Sequence, residues 1–210
     1  AFTNSNYMLR AMATYASGVN KHGWAYTVSG IGRYANEGVI EGTFYNSGGL
    51  FLSVEKIFNP NHSLTLTAFP TQRATAQATY QEAYDLVGSN LYNPAWGWQD
   101  GKKRSSRITE TFDPTVMLNY IFKKNNTTVN TSAAMRWVRY TRTAIQYYQG
   151  NNPDPSYYRN LPSYYEGKPE KQMYTDLWKH DKSFRQIDWD ELYQMNYLNN
   201  IQNETLPEAD

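Results

Sequence analysis

The chain has 210 residues, with 20 Lys and Arg against 19 Asp and Glu, a formal net charge of +1 and no cysteine. So small a charge gives no bulk field to draw nucleic acid or an anionic membrane surface, and the missing thiols exclude disulfides and thiolate metal sites. With 19 Tyr, 8 Phe and 6 Trp beside a mean hydropathy of -0.75, the composition suits either an aromatic carbohydrate-binding surface or a membrane β-barrel with aromatic girdles.

The first predicted element alternates Tyr7, Leu9, Ala11, Ala13 and Tyr15 against Met8, Arg10, Met12 and Thr14, turns over 18–23, and returns as Trp24, Tyr26 and Val28 against Ala25, Thr27 and Ser29. Gly30 and Gly32 then interrupt side-chain packing, which predicts a bulge or a close backbone approach. A connection from Tyr34 to Gly48 leads to the second hairpin, Gly49 to Phe69. There Leu50, Leu52, Val54 and then Leu64, Leu66, Ala68 occupy one face across the turn Asn59-Pro60-Asn61-His62. A third hairpin joins Val116, Leu118, Tyr120 and Phe122 to Val129, Thr131, Ala133, Met135 and Trp137 across 123–127. Each hairpin has one apolar face, one polar or small face, and a short turn at the same end.

Long segments connect the opposite ends. Between Pro70 and Asp113, Thr79 and Glu82 match a capping box and Gly88 a C′ residue, which predicts a helix over Tyr80 to Val87. The aromatic run Tyr92 to Trp98 follows, and Lys102-Lys103-Arg104 reads as a solvated loop face. From Thr141 onward Tyr147, Tyr148, Tyr157, Tyr158, Tyr164 and Tyr165 lie among Pro and Asn. Near the end Asp188 and Glu191 form a second capping box, with Ile187 and Leu192 at the staple positions. Trp189, Leu192, Tyr193 and Tyr197 recur at helical spacing, on a face expected to pack against the loop.

Short turns on one side and long loops on the other are the connectivity of bacterial outer-membrane barrels, and no apolar run reaches the ~18 residues of a transmembrane helix. In that reading the apolar faces touch lipid and Arg10, Glu55 and Arg136 point into a wet lumen. Tyr7, Tyr15, Trp24, Tyr120, Phe122 and Trp137 supply the girdles, while Lys56, on the lipid-side parity, snorkels towards a turn. The expected fold is all-β: an antiparallel meander of about six strands forming a section of a transmembrane β-barrel, with long loops carrying short helices. A barrel section occupies 1–140 with an extracellular loop at about 70–113, and a long extracellular loop segment occupies 141–210 with a helix at about 189–198. Six strands leave edges that cannot close alone. Ala1-Phe2-Thr3 has neither an initiator Met nor a signal-peptide pattern, and 206–210 is a polar tail, so a fragment of a longer chain is expected.

The residues resemble the TonB-dependent outer-membrane receptors of Bacteroidetes-type bacteria, the SusC and RagA-like transporters. The resemblance lies in Glu41-Gly42-Thr43-Phe44-Tyr45 leading into Phe51 to Lys56, in Gln81 to Leu86, in Tyr92-Asn93-Pro94 with Trp96-Gly97-Trp98 and Gly101 to Arg104, and in Arg185 to Asp190. It implies an internal section of a large plugged barrel in the outer membrane of a Gram-negative bacterium. Such a barrel touches outer-membrane lipid, captures a nutrient (a glycan, peptide or metal chelate) on its loops, and couples to the TonB system through a plug domain absent from this chain. A surface lipoprotein partner is possible within that family.

For ligand contact, Arg73, Tyr84, Tyr92, Trp96, Trp98 and Arg104 combine aromatic faces with guanidinium forks suited to a glycan or peptide, self-packing of the loop being the competing use of the same residues. No cofactor and no metal are expected: His22 and His62 fall in turns and His180 in a charged run, none at ligand spacing. Neither a nucleophile motif nor a phosphate loop is present, so a non-enzymatic protein is expected. A soluble or surface β-rich glycan-binding module is the alternative, and a hydrolase drawing on Asp176, Asp181, Asp188, Asp190 or Glu191 is the third reading.

Overall fold

The computed structural model describes residues 9–58, 61–68, 70–147 and 150–205. Tyr7, Met8, the Asn59-Pro60 part of the expected turn, Phe69, Tyr148 and the tail at 206–210 lie outside the described residues, as do the side-chain positions of Leu64, Leu66 and Ala68. The chain divides into two compact units: Ala1–Asn36, Phe44–Arg73 and Thr109–Arg142 form the first, and Glu37–Thr43, Ala74–Ile108 and Thr143–Asp210 the second.

The first unit is an antiparallel sheet. Strands β1 (Leu9–Ala16), β2 (Trp24–Ala35), β3 (Tyr45–Ile57) and β4 (Asn61–Ala68) pair in sequence order, and β5 (Pro70–Ala74) pairs with the same edge of β3 as β4 does. Leu50 opposite Ala68 and Ser47 opposite Thr71 belong to one register, so β4 and β5 are one pass of the chain. Further on, β8 (Ile108–Phe112) and β9 (Thr115–Lys124) form the next pass, and β10 (Thr127–Arg136) and β11 (Arg139–Arg142) the last, again in a single register through Thr115 opposite Arg136 and Phe112 opposite Arg139. Pro114, which has no N–H to give a ladder, sits at the break and accepts instead from Trp137 N. The nine strands of the sheet are therefore six passes of a meander, as the alternation predicted. Among the described residues nothing pairs β1 with the β10–β11 edge, so the sheet is not closed.

The turns at one end are short. Asn20 Oδ1 accepts from His22 N and Trp24 N, closing the first turn, and Asn125, with φ of 51°, opens the two-residue turn of the third hairpin. At Gly23, φ is 74° and a Cβ would lie 2.4 Å from the Ile57 carbonyl, so only glycine lets the turn receive the end of β3. The opposite ends carry the connections 36–44 and 75–107 and the segment beginning at 143.

Two sequence expectations change here. Gly30 and Gly32 neither bulge nor approach another backbone: both sit in unbroken registers to β1 and β3, and a Cβ at either would meet nothing within 4 Å. The connection after the first hairpin is shorter than 34–48, because β2 continues through Ala35 and β3 starts at Tyr45.

Registers also decide which positions share a face. Tyr15, Val28, Leu52 and Leu66 are successive partners, and so are Leu50 and Gly30, Val54 and Tyr26, and Leu118 and Ala133. One face of the six-pass sheet is thus largely apolar between the short turns and the row of Tyr34 and Phe112, and it is the more exposed face: along β2, Trp24, Tyr26, Val28 and Tyr34 are exposed while Ala25, Thr27, Ser29 and Arg33 between them are half-buried. Tyr15 is 68% exposed, Leu50 48% and Leu118 52%, with Leu52 and Val54 half-buried. Ala35 is the only buried apolar residue of this unit among the described residues. Lys56 lies on the apolar face, its Nζ 4.8 Å from the Trp24 ring centroid and donating to His22 O at the turn. On the other face Arg136 makes a two-point ion pair with Asp113.

The second unit has what the sheet lacks, an interior. Helix α1 (Gln81–Val87) ends as predicted on Gly88, whose φ is 74° and whose N–H donates to Tyr84 O. It does not start on the expected capping box. The helix begins one residue late, at the extended Tyr80, so Thr79 and Glu82 are out of step; Thr79 Oγ1 stays unpartnered and Glu82 Oε1 accepts from Ser163 N. Ala83 packs with Leu161 and with Trp178 of α2 (Glu170–His180), a helix that had no clear signal in the sequence. Trp178 is wholly buried, donates Nε1–H to Asn160 O at 2.7 Å, and meets Tyr92 and Phe184 edge-on at 5.7 and 6.0 Å. Helix α3 (Trp189–Thr205) starts on the capping residue Asp188, which accepts from Glu191 N at 2.9 Å, and the staple residues Ile187 and Leu192 are buried together with Trp189. The helix is longer than predicted, and its face is split: Trp189 and Leu192 go inward while Tyr197 is exposed.

Trp178→Ala is expected to cost about 3–5 kcal/mol, since it empties the centre of this interior and strands the Asn160 carbonyl. Denaturant unfolding followed by the fluorescence of the remaining tryptophans measures it, with Tyr164→Phe, a change at an exposed ring, as the near-neutral comparison.

Candidate functional site

Three of the six residues expected to meet a ligand, Trp96, Trp98 and Arg104, belong to one small structure in the second unit, the hairpin of β6 (Trp96–Gln99) and β7 (Lys102–Ser105). Asp100 and Gly101 form its turn with φ of 50° and 71°, both positive, as a tight hairpin turn of this kind requires. Pairing Trp98 with Lys103 and Gly97 with Arg104 gives the hairpin two chemically different faces.

On the first face Trp96 and Trp98 meet edge-on at 6.0 Å, and Lys103 Nζ lies 5.0 Å from the first ring centroid and 5.7 Å from the second. The ammonium donates to Glu37 Oε1 at 2.6 Å and Glu41 Oε1 at 2.8 Å. Burial works against this charge, but the hydrogen bonds to Glu37 and Glu41 outweigh it and hold the Lys103 pKa above its ordinary value. Trp96 is buried, Trp98 half-exposed. The buried ring is clasped by Gly42: φ there is 76° and a Cβ would lie 2.1 Å from the indole.

On the second face Arg104 lies 4.3 Å from the centroid of Trp189 and 5.5 Å from that of Tyr193, and its Nη1 donates to Gln99 Oε1 at 2.5 Å and Tyr193 Oη at 2.7 Å. The hairpin is locked to the start of α3 through backbone: Ile187 N donates to Trp96 O at 2.9 Å, and a Cβ on Gly97 would stand 1.9 Å from Ile187 O. Beside Arg104, Trp189 and Tyr193 a recess of about 220 Å³ reaches to Thr143 and Asn196. Trp189 Nε1 is buried without an acceptor, and nothing in the structure accounts for it.

The remaining three ligand candidates are placed differently. Tyr92 turns into the interior against Trp178 and donates its hydroxyl to Arg185 O at 2.8 Å; burial, before any charge, pushes its phenol up. Tyr84 is half-buried on α1 and its hydroxyl accepts from Thr79 N. Arg73 is exposed in β5 of the first unit, opposite Tyr45. Sequence reasoning passed over Lys103, assigned with Lys102 and Arg104 to a solvated loop, and over the partnership of Arg104 with Tyr193. The available signal was Asp100-Gly101 between Trp96, Trp98 and Lys103, Ser105, a two-residue turn flanked by alternation.

Three of the carboxylates considered for hydrolysis, Asp176, Asp181 and Asp188, accept local hydrogen bonds. Asp181 accepts from Ser183 N, Ser183 Oγ and, at 3.4 Å, Phe184 N, with the Ser183 hydroxyl the main cause of its lowered pKa. Asp188 caps α3 and Asp176 accepts from Gln172 Nε2 at 3.0 Å. No group of three metal-ligating side chains occurs among the described residues. Compared with protein-family models, with curated proteins and with solved structures, the chain matches none.

Two outcomes check this site. Gly97→Ala is expected to cost at least the upper end of the about 1–3 kcal/mol of an overpacked core, in denaturant unfolding, because Ile187 backbone cannot move without releasing Trp96 O. The contribution of Lys103 is fully present below the ordinary lysine pKa and is lost as pH rises through its raised value; Lys103→Met is therefore expected to flatten the alkaline fall in unfolding midpoint that the unaltered protein shows.

Proposed function

We propose that the chain is a section of an outer-membrane β-barrel belonging to a TonB-dependent nutrient receptor, with the sheet crossing the membrane and the second unit forming the extracellular ligand-capturing segments. The observation that carries this reading is the inverted sheet, whose apolar face is the more exposed one. A soluble sheet buries that face; a barrel turns it to lipid.

The extent of the face agrees with a bilayer. On β2 it runs from Trp24 to Tyr34, ten steps of about 3.3 Å, or roughly 33 Å along the strand. At the usual barrel tilt this stands about 25 Å tall, the height of a barrel's apolar band. Its two ends are aromatic: Tyr15, Trp24, Tyr26 and Tyr120 near the short turns, Tyr34, Phe112 and Trp137 at the other, all of them exposed. Beyond that second end the same face continues as Glu110, Arg139 and Thr141. Lys56, reaching the turn at His22, behaves as a basic residue at the band's edge does. The open edges of the sheet call for further strands to complete the barrel.

In this reading the receptor is non-enzymatic. Trp98 offers an exposed ring and Arg104 with Tyr193 stands at the recess of about 220 Å³, the parts fitted to stack on and hydrogen-bond a nutrient such as a glycan. The plug, the TonB contact and any lipoprotein partner belong to the rest of such a receptor.

The expected result for the protein carrying this chain is a requirement for detergent and a heat-modifiable electrophoretic mobility. Leu50→Arg is expected to lower its stability in lipid vesicles by about 2–4 kcal/mol, as a basic residue does at the bilayer midplane, while Ser29→Arg on the opposite face changes it by less than about 1 kcal/mol. A monodisperse, folded, detergent-free protein in which both substitutions have equal effect would sink the reading.

A further inference from the structure

The recess of about 220 Å³ beside the β6–β7 hairpin has an unbalanced cation on its wall. Of the guanidinium nitrogens of Arg104 only Nη1 has partners among the described residues, and both are neutral, Gln99 Oε1 and Tyr193 Oη. No carboxylate lines the recess, and no ion pair among the described residues includes Arg104. Lys103, its neighbour on the hairpin's other face, is the contrast: Glu37 and Glu41 both reach it. The same wall carries the Trp189 indole, whose N–H is buried without an acceptor. What this recess lacks is an anionic acceptor.

The Arg104 fork is set in place before any ligand arrives. It lies 4.3 Å from the centroid of Trp189 and is half-buried, so the fold fixes both its orientation and its partial shielding from water. A guanidinium placed this way matches the two oxygens of a carboxylate. The other walls limit what that carboxylate can be attached to. Ile108 and Leu192 present hydrocarbon, while Tyr193 Oη has a proton to donate and Asn196, its Nδ2 bonded to Gln146 O, has Oδ1 free among the described residues. The wall hydroxyls of Ser106 and Thr143 are already bonded to backbone carbonyls. A sugar ring meets such a mixture, with C–H faces for the hydrocarbon and hydroxyls that both give and accept. The aliphatic side chain beside a peptide's terminal carboxylate would leave Tyr193 and Asn196 unmet. At about 220 Å³ the space is below the about 300–1,000 Å³ of a site for a whole drug-sized ligand, and so takes one ring of a longer chain.

We propose that this recess selects the carboxylate of an acidic glycan, holding one uronic acid ring with Arg104 on the carboxylate and Tyr193 and Asn196 on ring hydroxyls. The proposal rests on the reading of the second unit as the ligand-capturing part of a nutrient receptor, and narrows that nutrient from glycans in general to those carrying a carboxylate. Because the charge-assisted bonds form at one half-buried cation, the preference for acid over neutral sugar falls as salt rises.

The test uses the protein carrying this chain in maltoside micelles and saturation-transfer NMR, with glucuronate and galacturonate, their methyl esters and N-acetylleucine as probes. At least one uronate is expected to bind about ten- to hundredfold more tightly than its ester, the strength of hydrogen bonds to a charged group. Arg104→Gln is expected to bring that uronate down to the level of its ester, and Lys171→Ala, at an exposed ion pair by the start of α2, to change neither. Should Arg104→Gln fail to fold, the comparison of acid and ester in the unaltered protein still decides. Equal binding of acids and esters overturns the carboxylate selection and leaves capture of a glycan standing. N-acetylleucine binding as tightly as the uronates, and lost with Arg104→Gln, overturns the glycan in favour of a peptide end. No binding by any probe, with detergent still required, overturns the site but not the membrane reading. A protein that is monodisperse without detergent overturns the membrane reading, and a preference for acid over ester in it would keep the site.

Discussion

Everything in the first unit depends on one constraint, the agreement of register across its strand pairs. A strand has a side-chain period of two, so a slip of one residue anywhere would move a whole strand's apolar set to the other face. No slip occurs: Tyr15, Val28, Leu52 and Leu66 are aligned across four strands, and Leu118 with Ala133 across the last hairpin. Short turns help to hold it, with Asn20 bonding its own turn and Gly23 admitting the end of β3. The result is a broad apolar surface made by backbone pairing alone, with almost no side-chain interior of its own.

The second unit solves the opposite problem. Its chain has short helices and turns with few long ladders, so its polar backbone groups must be met by side chains. Buried Asn93 shows how: its Oδ1 accepts from Gln77 N and Ala95 N while its Nδ2 donates to Glu41 O, tying three segments distant in sequence. Tyr92 and Trp178 do the same for Arg185 O and Asn160 O, each placing a ring in the interior and a polar tip on a carbonyl. Amphipathic aromatics thus supply burial and hydrogen bonding from one side chain, which is why a chain of negative mean hydropathy can still build this interior.

What could be read beforehand was what depends on local periodicity. The six passes, their apolar face, the αL end of α1 at Gly88 and the Ile187-Asp188-Leu192 start of α3 each follow from residues a few positions apart. What escaped depends on distant partners. Thr79 and Glu82 had the spacing of a cap, but Ser163 N captured the Glu82 carboxylate and the helix began at Tyr80. Lys103 looked like one more solvated lysine until the fold brought Glu37 and Glu41 to it. Of the ligand candidates, the aromatic hairpin was legible as a cluster, whereas the inward turn of Tyr92 was settled by Trp178, more than eighty residues away, a distance no local pattern spans.

The limit of the apolar face says more than its existence. In a sandwich the buried surface ends where the strands end, because the loops cap the core. Here the pairing runs on past the boundary: β8 with β11 keeps the register of β9 with β10 while the exposed face passes from Met135 and Trp137 to Arg139 and Thr141. Backbone and side-chain chemistry therefore change at different places along the same strands. The boundary crosses continuous strands, so it is not set by where the sheet stops. In the membrane reading proposed above, an apolar slab with aqueous margins is what would draw such a line.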